Sequence, residues 1–282
     1  MRFDLMFSNP PYNGNTDIKI LNNLYDSITE YIVVHPATWI LDVKGFSSIY
    51  NSYRDKINGH LKEIYIFNGN KVFGVQLFVP TTITYVDFRY NGVCKATYFG
   101  DTWYEDDVFE ITKFTSKWKT IVKPFMNKIK KYDSIWNHNT TSHKANPDKF
   151  HVQMASMRGS SDNKRTDRVW KDDFHTIVMR KNELNKGIRN NNDFKGMVWE
   201  FDTEIEQENF IEYLKTDFAR FCLAIYKQNY DLCVGNMSLI PMLDFTQYWD
   251  DDKLFEYFNI DNTTINYIRD YLPDYYNIRG LK

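Results

Sequence analysis

The order of apolar and polar positions predicts three successive kinds of structure. Residues 3–8 (FDLMFS) read as a short buried strand, and 18–28 (IKILNNLYDSI) space their apolar side chains as a helix does. The unbroken run 31–41 (YIVVHPATWIL) predicts a strand buried on both faces of a mostly parallel sheet, and 46–58 (FSSIYNSYRDKIN) a second helix. Two further runs, LKEIYIFNG and VFGVQLFVPTTITYVDF, predict a strand pair joined by an Asn68-Gly69-Asn70 turn. Strand, helix, strand, helix, strand, strand is half of a doubly wound α/β domain. Short strands and loops follow, with a helix near 119–131. From Thr203 a single long helix is expected, with Phe210, Leu214, Phe218, Phe221, Cys222 and Ile225 at spacings of three or four. DDDKLFEYF and TTINYIRDYL predict short helices opened by capping residues. The expected architecture is an α/β fold with a partial doubly wound sheet over residues 1–95. A mixed α+β region spans 96–200 and a helical C-terminal region 201–282.

Charge changes this picture more than composition does. The net charge of −2 is the sum of unlike parts: residues 113–190 hold 18 Lys/Arg against 7 Asp/Glu, whereas 1–112 and 191–282 are both acidic. Aromatic and polar residues interleave the basic ones, as in KFTSKWKTIVKPF and HVQMASMRGSSDNKRTDRVWKDD. Such a segment fits a polyanion, since each neutralised phosphate releases condensed counterions. The bland alternative is a solvated, charge-mixed face. The residues expected to contact nucleic acid are Lys117, Lys119, Lys123, Arg158, Lys164, Arg165, Arg168 and Lys171, with Gln153, Arg158 and Asn163 as candidate base readers. No apolar run reaches the roughly 20 residues of a membrane helix and no signal segment is recognisable, so a cytoplasmic protein with no membrane partner is expected. Three cysteines without CxxC spacing predict neither a disulfide framework nor a zinc ribbon.

The chemistry-bearing stretch is Asn9-Pro10-Pro11-Tyr12, directly after the first predicted strand. Two prolines stiffen the backbone and remove two N–H donors, leaving carbonyls at the strand's end. The Asn9 side-chain oxygen and the Pro10 carbonyl can accept both hydrogens of an exocyclic amine, drawing its lone pair out of the ring and towards an electrophile. Tyr12 offers a face for a flipped base. Asn-Pro is also an ordinary turn signal, and the plain alternative is a loop that ends a strand.

In FDLMFSNPPYNG, VVHPATWIL and IFNGNKVFGVQLFVPTTITYV, taken in this order, the chain resembles the amino-methyltransferases of the gamma order, particularly the adenine-specific enzymes of restriction-modification systems. The distal stretch from FARFCLAIYKQN to FEYFNI is similar to the family's run after its target-recognition region. The resemblance implies DNA as partner, catalytic roles for Asn9, Pro10, Pro11 and Tyr12, and base stacking by Tyr12 and Phe73. It also implies S-adenosylmethionine as methyl donor. The chain departs from the family where that donor is held. Eight residues precede Asn9, no two of the 12 glycines are spaced Gly-x-Gly, and the acidic residue expected to hold the ribose is missing. The cofactor is therefore expected only if a second polypeptide supplies its site. The alternative is a catalytically inactive DNA-binding or decoy protein derived from a methyltransferase.

Other candidates are weaker. His138 and His143 lack a ligand-like set of partners, so no metal is expected. Lys71 belongs to no phosphate loop. Asp250, Asp251 and Asp252 read as helix-start acids.

Overall fold

A computed structural model describes residues 3–45, 47–74, 79–141, 144–146, 148–155, 175–179, 197–226 and 234–272. They belong to two compact units, residues 1–120 and 121–282. The first unit runs β1 (Phe3–Ser8), α1 (Thr16–Leu24), β2 (Ile28–Pro36), α2 (Thr38–Leu41), α3 (Ser48–Ile57), β3 (Leu61–Phe67), α4 (Gly69–Phe73), β4 (Thr81–Asp87), β5 (Cys94–Tyr98) and β6 (Asp101–Glu105). Its six strands lie in the order β1-β2-β4-β3-β5-β6. The pairs β1/β2 and β3/β5 are parallel; the other three neighbours are antiparallel, so the sheet is mixed.

One face of this sheet is closed. Tyr31, Val33, Ile64, Ile66, Val86, Cys94 and Ala96 point into a core completed by Ile18 and Leu21 of α1, by α2 (Trp39, Ile40, Leu41) and by Tyr53 and Ile57 of α3. The other face is different. The registers place Leu5, Phe7, Ile32, Val34, Tyr85, Ile83 and Tyr65 there together, and all are exposed or half-buried. Two expectations are corrected by this. The strand at 3–8 is not buried: it is the sheet's edge, and Phe3, Leu5 and Phe7 are exposed. The strand in 31–41 is not covered on both faces either; burial alternates along β2, which ends at Pro36, and Trp39, Ile40 and Leu41 pass into α2. A continuous apolar run reads the same whether both faces are covered or one is left for something else.

The predicted strand pair exists, since β3 and β4 are antiparallel with Ile64 opposite Thr84, but Asn68-Gly69-Asn70 is not its tight turn. Asn68 caps α4, its side-chain oxygen accepting from the Asn70 N–H at 3.0 Å. Phe73 accordingly sits at the end of a helix rather than on a hairpin strand. The sheet also continues past residue 95 through β5 and β6, up to Glu105.

The second unit contains α5 (Lys123–Ile129), β7 (Thr140–Thr141), β8 (Phe150–Ala155), β9 (His175–Met179), β10 (Met197–Phe201), α6 (Glu204–Lys215), α7 (Asp217–Tyr226), α8 (Asp251–Tyr257) and α9 (Asn262–Tyr271). Its antiparallel strands lie in the order β7-β10-β8-β9. The long helix expected from Thr203 is two helices. Thr203 opens α6 with a reciprocal Glu206 capping box, and Thr216 adopts an extended backbone that ends it. The Asp251 carboxylate accepts from the N–H groups of Asp217 and Phe218 at 3.0 and 2.9 Å, capping α7. Apolar spacing passes through the break unchanged, which is why it conceals it; all six of the predicted apolar positions are buried. Asp250 caps α8 as expected, through the Lys253 N–H at 2.9 Å. No helix among the described residues is long and apolar enough to cross a membrane.

Candidate functional site

The loop after β1 is held by its own residues. Pro10 is buried, whereas Asn9 and Pro11 are exposed. The Tyr12 hydroxyl donates to the Asn9 side-chain oxygen and also lies 3.4 Å from the Val34 carbonyl on β2. Gly14 and Asn15 both adopt left-handed backbone (φ 61° and 60°), which glycine and asparagine tolerate best, and this turns the chain into α1. Tyr50 of α3 donates to Asn15 Oδ1 at 2.9 Å. Burial, and secondarily the Asp17 charge, hold the Tyr12 phenol above its usual pKa of 10, so the hydroxyl is a donor at neutral pH. Asn9 and Tyr12 thus meet at the end of β1, with the carboxamide oxygen keeping a second lone pair beyond the one Tyr12 uses.

Beneath this loop lies a buried polar group that sequence reasoning missed. His35 is fully buried on β2; its Nδ1 is 3.2 Å from Asp17 Oδ2 and its Nε2 is 3.0 Å from Thr84 Oγ1. The link ties the first turn of α1 to β2 and β4. Its one sequence signal is a histidine inside an otherwise apolar run, which a strand prediction absorbs. Burial pulls the imidazole below its usual pKa of 6.5, outweighing the opposing pull of Asp17. The folded state therefore binds fewer protons than the unfolded one as pH falls below 6.5. The stabilisation from a neutral His35 is complete above that pH and is lost below it. In the full chain, the urea midpoint should drop between pH 7 and 5. His35→Gln should be less stable at pH 7 yet show a shallower fall, the difference in slope reaching at most about 1.4 kcal/mol per pH unit for one proton. Parallel slopes for the two proteins would count against a neutral buried His35.

Phe73 is exposed at the end of α4. Because β1, β2 and β3 run in one direction, α4 and Asn9-Tyr12 follow the same ends of the parallel strands. Phe73 leaves the sheet three strand positions from β1, about 14 Å by ordinary strand spacing. A further exposed aromatic missed in the sequence, Phe99, stands at this end in the β5–β6 turn with φ 49°, beside Tyr98 at a ring distance of 4.7 Å.

The basic residues are dispersed. Lys117 is exposed, but Lys119 faces the carboxylates of Glu105 and Asp106 at 2.6 and 3.4 Å, and Lys123 opens α5 half-buried. The charge of Lys119, expected on phosphate, is matched within the first unit instead. Arg158, Lys164, Arg165, Arg168 and Lys171 lie outside the described residues, as do Asn163, His143 and the side chain of Gln153. His138, expected to lack a carboxylate, has one: Nε2 is 2.6 Å from Asp133 Oδ2. Hydrogen bonds from Asn137 and His138 hold the Asp133 carboxyl down at about 2. Among the described residues no group of three His, Cys, Asp or Glu side chains is arranged to hold a metal.

Among the described residues, the loop after β1 does not offer the cradle that S-adenosylmethionine needs. Gly14, the glycine nearest Asn9, belongs to an Asn-Gly-Asn turn rather than a Gly-x-Gly loop. The neighbouring acids Asp17 and Asp42 are buried, one on His35 and the other beside Arg54, which leaves neither to hold a ribose. A cavity of about 380 Å³ between α8 and α9, lined by Asp252, Phe255 and Arg269 among others, contains none of Asn9, Pro10, Pro11 and Tyr12. No family model matches the chain, and no curated protein matches it either.

Proposed function

We propose that this chain is the amine-positioning, DNA-binding part of an adenine-N6 DNA methyltransferase whose methyl-donor site is contributed by a second polypeptide. The observation that carries the reading is Asn9-Pro10-Pro11-Tyr12 at the outgoing end of an edge strand, with Asn9 exposed and its oxygen within reach of the Tyr12 hydroxyl. A flipped adenine would present its amine to Asn9 Oδ1 and the Pro10 carbonyl and stack on Tyr12, with Phe73 as the second aromatic. The rate enhancement asked of these groups is positional, because they are fixed before the base arrives. The methyl group would come from a donor held by the second polypeptide.

A second reading, DNA binding without methylation, is favoured by the absence of Gly-x-Gly from the sequence and by the engagement of Asp17 with His35 beneath the loop after β1. Both readings predict that the chain alone fails to bind S-adenosylmethionine in isothermal titration, and saturable binding at low micromolar cofactor would remove the misfit on which they rest. They part on complementation. A polypeptide carrying a Gly-x-Gly half-domain, encoded beside this chain and added to it, should yield N6-methyladenine in duplex DNA under the first reading and none under the second.

A further inference from the structure

The strand that carries the clamp is also the least protected part of the sheet. β1 pairs with β2 alone among the described strands, leaving one row of backbone N–H and C=O groups without a ladder partner. Edge strands are commonly guarded by charge. At the opposite edge, β6 carries Asp101 and Glu105; β1 has Asp4 alone among Phe3, Leu5, Met6 and Phe7. Phe3 is 53% exposed, Leu5 45% and Phe7 69%.

This edge continues into the open face. Phe7 is opposite Ile32, which is opposite Tyr85; Val34 is opposite Ile83, which is opposite Tyr65. Ile83 and Tyr65 are exposed, and Ile32, Val34 and Tyr85 half-buried. Five exposed apolar side chains of this size leave on the order of 400 Å² of apolar surface, comparable to the largest patch on a typical monomer, which is often functional, and half of what one side of a standard interface buries. The half-buried residues and the bare strand edge add to it. A strand alone would cover the edge and leave Ile83 and Tyr65 in water. A helix alone would cover the face and leave the backbone of β1 unpaired.

We propose that a second polypeptide docks here with one strand added beside β1 and one helix laid across Phe7, Ile32, Val34, Ile83 and Tyr65. This rests on the methyltransferase reading in one respect, the direction of the added strand. Running parallel to β1, it ends next to Asn9, so the loop that follows it is where a donor site must stand to reach the clamped amine. A second copy of this chain fits less well: β1 against β1 would be antiparallel and would leave Ile83 and Tyr65 uncovered.

The test is site-specific photo-crosslinking in the full chain expressed from its own locus. Benzoylphenylalanine replaces Phe7 or Ile83, with Tyr257, an exposed residue of the second unit, as control position. Positions 7 and 83 should crosslink to one and the same second polypeptide, both to the helix that covers the open face, and Leu5→Lys should reduce both yields at least tenfold while the circular dichroism spectrum is unchanged. No crosslink above the control, crosslinks to different polypeptides, or crosslinks to a second copy of this chain would overturn the proposal. The two claims fail separately. A polypeptide crosslinked as expected whose complex binds no S-adenosylmethionine leaves the docking surface standing and removes the methyltransferase reading. DNA methylation restored by a polypeptide that crosslinks elsewhere does the reverse.

Discussion

Replacing Asn9 by alanine in the complemented enzyme should lower turnover about 10²- to 10³-fold, the usual cost of losing one preorganised hydrogen-bonding group aimed at developing charge. DNA affinity should change little. Under the proposed function the Asn9 oxygen and the Pro10 carbonyl would take the amine hydrogens most strongly as positive charge grows on the nitrogen, so the loss would fall on kcat rather than on binding. Tyr12→Phe provides the contrast. It keeps the ring but removes the hydroxyl that donates to Asn9, leaving the carboxamide less well held. A loss well short of that for Asn9→Ala is expected. Single-turnover rates with saturating DNA and cofactor separate these effects from product release. A variant Asn9→Ala with undiminished turnover would show that NPPY ends a strand here and does nothing more. The same substitution in the chain without its partner should leave the unfolding free energy from urea titration within about 0.5 kcal/mol of the parent, as for an exposed surface position.

The sequence carried the order of elements in the first unit because each has a local cause: apolar runs for β2, β3 and β4, helical spacing in α1 and α3, prolines and an Asn-Gly-Asn triplet at the clamp. What it did not carry is set by distant neighbours. FDLMFS has the composition of a central strand, and only the sheet order shows that it is an edge. Asn68-Gly69-Asn70 has the composition of a hairpin turn, yet Asn68 serves as a helix cap. The break at Thr216 depends on Asp251, 35 residues further on, and no local pattern reveals a partner that far away. At the clamp, the types of Asn9 and Tyr12 were legible and their direct bond was not. His35 was hidden because a buried histidine is recognised by its partners, Asp17 and Thr84, which come from two other elements.

The remaining large effect concerns the basic segment and depends on salt. If residues 113–190 bind duplex DNA, affinity should fall steeply as salt is raised, with a log–log slope of about −0.9 for each phosphate neutralised. Replacing Lys164, Arg165 and Arg168 together by glutamine should flatten the slope by about one unit for each phosphate no longer neutralised. If all three residues each neutralise a phosphate, the parent would lose about 40-fold more affinity than the variant between 50 and 200 mM salt. Lys119→Gln is the internal control. Its ammonium already faces Glu105 and Asp106, so its removal should leave the slope unchanged although it is a lysine of the same basic segment. An effect confined to the triple variant identifies phosphate binding at those positions. Flattening by Lys119→Gln of about a third of that by the triple variant would mean that net charge alone attracts the DNA, and mobility shifts absent at both salt concentrations, with and without the second polypeptide, would mean that the segment's charge serves solubility.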